Sequence, residues 1–232
     1  MIHSCMVKQQ PAAEIFPFYS TKEDMVSALL HGIGVLGAAA GLVLFVLNSC
    51  GYWDGLWKGG LILASLVIFT VTMIVLFISS TLYHAVKDLK KKFKLRDLDH
   101  LAIYIFIAGA YTPFCLIGLK GVWGWSLCAI EWTLALIGII LYNMDYKALK
   151  KHEVAVKLVM GWIVLTAWVP LRNNIPDISF ILLIAGGIVY SLGTVVFHKK
   201  EILMNHAIWH IFVLGGAVCH WFSVWYILTS AQ

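Results

Sequence analysis

The chain has 232 residues, of which 61% are hydrophobic and only 12% are charged, and its mean hydropathy is +0.86. A soluble domain of this length needs far more polar surface, so the composition excludes a soluble globular protein and indicates an integral membrane protein. The net charge of +5 is modest, and the positions of the basic residues are more informative than their number.

Seven stretches are each apolar and long enough to cross a bilayer, which takes about 20 residues per helix. In chain order they cover 25–48, 60–86, 99–119, 123–143, 154–171, 178–198 and 207–229. These runs lack the alternation of transmembrane barrel strands, so helices are expected. The prediction is an all-α membrane protein with seven transmembrane helices in residues 23–232. Residues 1–22 form a tail without the pattern of a cleaved signal peptide.

Most of the 17 lysines and arginines fall in connections on one side of the predicted bundle. These are Lys8, Lys22, Lys87, Lys90, Lys91, Lys92, Lys94, Arg96, Lys147, Lys150, Lys151, Lys157, Lys199 and Lys200. Only Lys58, Lys120 and Arg172 fall on the other side. Since basic loops stay cytoplasmic, the tail is predicted to be cytoplasmic and the C-terminus extracytoplasmic, in a multi-pass protein of the cell membrane.

The segment KDLKKKFKLRD, 87–97, is the most basic connection. It is expected to be a solvated loop that sets topology and touches anionic lipid, rather than a nucleic-acid site. The five cysteines are far apart and form no CxxC pair, so free buried thiols are expected rather than disulfides or a cysteine zinc site.

Four polar residues share one depth at the predicted cytoplasmic end of the spans. His84 ends the second span, Asp99 opens the third, and His206 and His210 open the last. Histidines at i and i+4 project from one helical face, as in helical zinc sites, and His84 would complete three nitrogen ligands and leave a fourth position for water. Ser80, four residues before His84, faces the same way and would hold a ligand or the water.

The same residues allow two alternatives to a zinc site. Histidines inside spans also serve as interior hydrogen-bonding groups, and HxxxH occurs by chance. Haem is disfavoured because His206 and His210, one turn apart on one helix, cannot lie on opposite faces of one iron. Three histidines and an aspartate at a common depth favour a metal, because ionisable groups inside spans mark functional interiors.

Three motifs in order resemble the hemolysin III proteins, the mostly bacterial branch of the family that includes the adiponectin and progestin receptors. They are SSTLYH at 79–84, LDHLAIYIFIAGAYTPF at 98–114 and NHAIWHIFVLGGAVCHWF at 205–222. The resemblance implies seven helices with a cytoplasmic N-terminus and a zinc ion near the cytoplasmic face. By motif, His84, His206 and His210 would be its ligands, with Asp99 contacting it through water and Ser80 nearby.

The expected activity is zinc-dependent hydrolysis of an amide or ester bond in a membrane lipid, with Asp99 as general base or as an orienting group. The superfamily implies ceramide-type amide hydrolysis, but the substrate is left open, and no receptor function is expected because the receptors' long N-terminal domain is lacking. One alternative is a non-catalytic regulator or sensor of membrane lipid state with a structural zinc. A lytic pore is another, although no continuous polar stripe supports it.

Other polar residues inside the spans are given lesser roles. Glu131, in the middle of the fourth span, is expected to be protonated or paired, with a proton-relay or substrate role as the alternative. His31 is expected to make an interhelical hydrogen bond rather than to line the cavity. His220 lies too far along the last span to reach the same ion and is expected to be an interior hydrogen-bonding residue, and His100 points away from Asp99. Pro113 is expected to kink the third span.

Overall fold

A computed structural model of the protein describes residues 19–50 and 59–230. Most of the predicted tail, residues 1–22, lies outside these residues, together with Cys5, Lys8 and Lys58. The side chain of Lys150 is also outside the description. The four described cysteines, Cys50, Cys115, Cys128 and Cys219, are free thiols, as predicted, but only Cys115 and Cys128 are buried.

The described residues form helices and contain no strand. The helices are α1 (Thr21–Ser49), α2 (Gly60–Ala85), α3 (Leu89–Pro113), α4 (Gly121–Asn143), α5 (Lys147–Trp162), α6 (Trp168–Asn174), α7 (Asp177–His198) and α8 (Asn205–Ser230). A π-helical turn, Phe114–Leu119, extends α3, and a 3₁₀ segment, Ile163–Ala167, joins α5 to α6. Seven of the resulting helical segments are long and apolar enough to cross a membrane. The predicted fold class is confirmed, and which end faces the cytoplasm stays a prediction.

Neighbours in sequence pack as neighbours in space, and α1 also packs against α8. The closest approach of α2 and α3 is at Gly109, where an added Cβ would collide with the Thr72 side chain. Small residues permit such approach because packing rather than the hydrophobic effect drives helix association in lipid. The apolar core includes Phe45, Leu66 and Phe106. This packing holds the end of α2 and the starts of α1, α3 and α8 together at one end of the bundle.

Residues 89–97 of the basic segment 87–97 are helical, so the assignment of the segment as a loop is wrong beyond its first two residues. The Asp88 side chain accepts a hydrogen bond from the Lys91 N–H at 2.8 Å, and α3 begins at the next residue, Leu89. Aspartate is a preferred N-cap, and Lys, Leu and Arg are good helix formers, which explains the extra turns. Lys157, assigned above to a connection, likewise lies inside the fifth span, 151–174.

The fifth span is broken where α5 gives way to the 3₁₀ segment, and a tyrosine from α3 compensates for the break. The Tyr111 hydroxyl lies 3.0 Å from the carbonyl oxygens of both Met160 and Gly161, to which it donates. It accepts a hydrogen bond from the Val164 N–H at 2.7 Å. Backbone groups in a membrane must be satisfied inside the protein. A kink is predicted at Pro113, and the structure has a π-helical turn directly after this residue.

Replacing Tyr111 with Phe should destabilise the protein, because Val164 N–H and the two carbonyls lose a buried partner. A buried unsatisfied polar group costs about 1–3 kcal/mol, so the thermal unfolding midpoint of the purified protein should fall. Tyr146→Phe, at an exposed position, is the control and should leave the midpoint unchanged. Equal midpoints for the two variants would show that the hydroxyl does not stabilise the break.

Candidate metal centre

Three buried imidazoles from two helices meet at one end of the bundle. His84 lies in the last turn of α2, and His206 and His210 lie in the first two turns of α8. Their exposed fractions are 3%, 7% and 2%. His84 Nε2 lies 3.1 Å from His206 Nε2 and 3.0 Å from His210 Nε2. The structure therefore brings together the three histidines that the sequence selected.

The donor set and its spacing fit a metal ion. Imidazole nitrogens bind zinc at about 2.0–2.1 Å, so two ligands of a tetrahedral ion lie about 3.3 Å apart. The observed separations of 3.0 and 3.1 Å differ from this value by only a few tenths of an ångström. All three ligand atoms lie within 4.8 Å of one another. The cluster can hold a metal ion, and imidazoles are suited to zinc as well as to other transition metals.

Hydrogen bonds alone cannot satisfy all the imidazole nitrogens of this cluster at once. His84 Nδ1 lies 2.8 Å from Asp24 Oδ1, so the proton of a neutral His84 ring belongs on Nδ1, where it is donated to the carboxylate. His84 Nε2 is then left with one lone pair, although two imidazole nitrogens approach it at hydrogen-bond distance. A cation at the centre would engage all three nitrogens at once.

Asp24 is the main residue of the site that sequence reasoning missed. It lies in the first turn of α1 and contacts both His84 and the Lys92 ammonium of α3. A carboxylate on the distal nitrogen fixes the tautomer of a ligating histidine and raises its basicity. Asp24 lies seven residues before His31, two turns along the same face of α1. That spacing is a usable signal in the sequence, but the first predicted span begins only at residue 25 and therefore excludes Asp24.

The other two histidines have different surroundings. His210 Nδ1 lies 3.0 Å from His31 Nε2, so His31 makes the predicted interhelical hydrogen bond and also lines the cavity described below. His206 Nδ1 has no hydrogen-bond partner in the described part of the chain. The His206 ring stacks on Tyr19, with centroids 4.0 Å apart. Burial raises the pKa of the Tyr19 phenol, so this ring is neutral.

Glu23 ties α1 to the start of α8. The His206 backbone N–H donates to Glu23 Oε1 at 3.0 Å, so the carboxylate takes up one of the unpaired N–H groups of a helix N-terminus. Its side chain is buried. Adjacent residues of α1 thus hold both halves of the cluster: Glu23 holds the α8 backbone and Asp24 holds the α2 histidine.

Asp99 and Ser80 lie beside the cluster without joining it. Asp99, on α3, is buried and lines the same cavity as His206 and His210, and its carboxyl lies near Ser80 and His84. It is not one of the three grouped ligands. The Ser80 hydroxyl is fully buried and makes no hydrogen bond to any described residue. Both groups are therefore near the candidate ion but outside its nitrogen shell.

A cavity of about 770 Å³ opens onto this centre. Besides His206, His210 and Asp99, its walls include apolar side chains of α3 and α8, such as Phe106 and Val213. Ligand pockets typically measure about 300–1,000 Å³. The centre therefore faces a space large enough for an amphiphilic molecule.

Three further polar residues lie away from the centre. His220 Nε2 lies 3.3 Å from the Leu183 carbonyl oxygen, the interior hydrogen bond that was predicted. His100 Nδ1 lies 3.0 Å from both carboxylate oxygens of Glu153, outside the cluster as predicted. Glu131 is fully buried on α4, and neither of its oxygens has a hydrogen-bond partner among the described residues. The lack of a partner fits the protonated form expected for this carboxyl.

These features define a seven-helix membrane protein with a buried trihistidine cluster that can hold a metal ion. The model of the haemolysin-III related family matches residues 19–221, and the chain belongs to that family. The Hemolysin-3 homolog of Bacillus subtilis (strain 168) is 42% identical over 209 residues, covering 89% of this chain and 94% of the relative. Hemolysin-3 of Bacillus cereus is 39% identical over 215 residues, covering 91% and 94%.

Similarity extends beyond bacteria. The monocyte to macrophage differentiation factor of Homo sapiens is 31% identical over 216 residues, covering 88% of this chain and 83% of the human protein. The resemblance seen in the three motifs is thus confirmed, for the family and for the superfamily that includes the adiponectin receptors. With its seven spans, the chain is a multi-pass protein of the plasma membrane.

Metal analysis of the purified protein tests the cluster directly. The wild type should bind one ion under zinc-replete conditions, whereas His84→Ala and His210→Ala should retain little, because each removes one of three ligands. His152→Ala, at an exposed position of α5, should match the wild type. Equal metal content in all four proteins, measured by elemental analysis, would rule out this site.

The role of Asp24 can be measured as metal affinity. Asp24→Asn keeps the side-chain shape but removes the charge facing His84 Nδ1, and loss of such a partner typically weakens metal binding about 10–100-fold. Competition with a chelator measures this change. Asp88→Asn is the matched control, because asparagine also caps helices well. Unchanged affinity in Asp24→Asn would show that the carboxylate does not support the ligand.

Proposed function

We propose that the protein is a zinc-dependent hydrolase that cleaves an amide or ester bond of a membrane lipid at the cytoplasmic side. The observation that carries this proposal is the convergence of three imidazole Nε2 atoms, two of them from His206 and His210, which line one large cavity together with the buried carboxyl of Asp99. His84, His206 and His210 would hold the ion. When bound, it would supply Lewis acidity toward a carbonyl oxygen and toward water.

Asp99 is proposed as the general base. It is the acidic residue of α3 that lines the cavity beside His206 and His210, and it would accept a proton from the attacking water and return it to the leaving amine or alcohol. Ser80 is proposed to orient the water or Asp99, because its buried hydroxyl is near Asp99 and is not engaged elsewhere among the described residues.

The surroundings of the centre favour a lipid over a soluble peptide as substrate. The cavity lies among membrane-spanning helices and is lined by apolar side chains such as Ile103, Phe106 and Leu183. An acyl chain moves from the bilayer to such walls at little cost, whereas a peptide would lose the hydration of its polar backbone groups there. The family's relatives reported above are named for hemolysis or for macrophage differentiation, and neither name identifies a substrate.

Asp99→Asn separates catalysis from structure. If Asp99 is the base, the variant should retain the metal and lose about 10²–10⁴-fold in turnover. Release of fatty acid from acylated lipids, measured alongside elemental analysis, checks both quantities. The control is Asp97→Asn, whose carboxylate contacts Arg96 and Tyr142 instead. Metal-loaded wild type without turnover, or an unaffected Asp99→Asn, would contradict the proposal and favour the alternative of a structural zinc in a lipid sensor.

A further inference from the structure

The cavity lining is exposed at one end, where Lys151 and Lys200 lie, and buried further in, at Phe106 and Val213. The exposed end is the entrance of the cavity, and it differs from the interior in charge. At the end of the bundle that carries the histidine cluster, its walls include four basic side chains: Arg96, Lys151, Lys157 and Lys200. The acidic residues of its lining are Asp99, beside the cluster, and Glu153. The deeper walls are mainly apolar, so positive charge is concentrated at one end.

Two of these basic residues are already engaged by acids. Lys157 pairs with Glu153 on the same helix, and Glu153 also contacts His100, so the charge of Glu153 is compensated within the protein. Arg96 pairs with Asp97 at 2.8 Å. These contacts compensate the charges of Lys157 and Arg96 but not those of Lys151 and Lys200.

Lys151 and Lys200 have no ion-pair partner in residues 19–50 and 59–230. The Lys200 ammonium lies 4.2 Å from the centroid of the Phe197 ring, another cavity-lining residue, and this cation–π contact holds it at the rim. Partial burial lowers the pKa of Lys200, and Glu23 opposes the shift. An anion at the rim would offset the incomplete solvation of this ammonium.

We infer that Lys151 and Lys200 form a binding site for the anionic head group of an acyl lipid whose chain occupies the cavity. The head-group site rests on the proposed function only in that the bound lipid is also the molecule that is cleaved. The inferred substrate class is a lipid with an anionic, phosphate-type head rather than a neutral one. Phosphate oxygens accept charge-assisted hydrogen bonds from ammonium groups.

The dimensions of the cavity are consistent with an acyl chain extending from this entrance. Its walls include His206 near the start of α8 and His220 well along the same helix. At ~1.5 Å per residue, the stretch of α8 between them is about 21 Å long. A head group at the rim would leave its first carbonyl near His206, His210 and Asp99, and the chain would run past Phe106 and Val213.

Head-group preference can be tested by binding alone. The protein carries Asp99→Asn so that ligand is not consumed, and it is placed in nanodiscs of zwitterionic lipid. Oleoyl lysophosphatidic acid and monooleoylglycerol have the same chain and differ in charge. The charged lipid should bind at least about tenfold more tightly, as expected for charge-assisted hydrogen bonds to two lysines. Equal affinities would overturn the inference.

Matched double variants test whether Lys151 and Lys200 cause the preference for the charged lipid. Lys151→Gln with Lys200→Gln should abolish the preference and leave the affinity for monooleoylglycerol unchanged, which also shows that the variant is folded. Lys147→Gln with Lys199→Gln removes the same charge from the same end at exposed positions outside the cavity lining, and it should keep the preference. An equal loss in both doubles would mean that diffuse surface charge, not a site, attracts the lipid.

The remaining arms separate this inference from other outcomes. Glycerol 3-phosphate, which has the head without the chain, should not compete, and competition by it would show a site for soluble anions instead. Tight, lysine-dependent binding in a protein that hydrolyses nothing would leave this inference standing and remove the hydrolase. If the protein hydrolyses neutral and charged lipids and binds both with equal affinity, the proposed hydrolase stands and the inferred head-group site is removed.

Discussion

The site depends on one electrostatic constraint: three imidazole nitrogens of buried side chains face one another inside the helix bundle. Lone pairs at 3.0–3.1 Å repel unless a proton or a cation lies between them, and the low dielectric of the interior strengthens that repulsion. His84 donates its own proton to Asp24, away from the centre. The surrounding structure thus holds the rings in an arrangement that is favourable when a positive charge is present.

Much of the fold followed from the sequence, because bilayer thickness imposes a length on every apolar run. The seven spans and the shared depth of His84, His206 and His210 were predictable on that basis, whereas the family was predictable from the resemblance of three motifs. The extra turns at the start of α3 were not, because the charge of the lysine run in 87–97 favours a solvated loop, whereas the Asp88 cap and the helix propensity of the segment favour a helix.

The least predictable parts are contacts between distant segments. Asp24 and His84 are 60 residues apart in the chain. The seven-residue spacing places Asp24 on the same face of α1 as His31, but no pattern in the sequence indicates that this face turns toward α2. The contact of Tyr111 with the broken fifth span also joins distant segments of the chain. The sequence does not predict the break at Trp162, because no proline lies there. The cavity also emerges only from the packing of five or more helices. Its cationic rim combines residues that the charge count had assigned to separate connections.

The origin of the three nitrogens has a consequence for biosynthesis. His84 comes from the second span, whereas His206 and His210 come from the last, and Glu23 and Asp24 of the first span contact both. Ribosomes deliver these helices in order, so the complete donor set exists only after the final helix has left the translocon and packed against α1. Truncated chains therefore lack the full set of donors, and the three histidines can hold a metal ion together only once membrane insertion is complete.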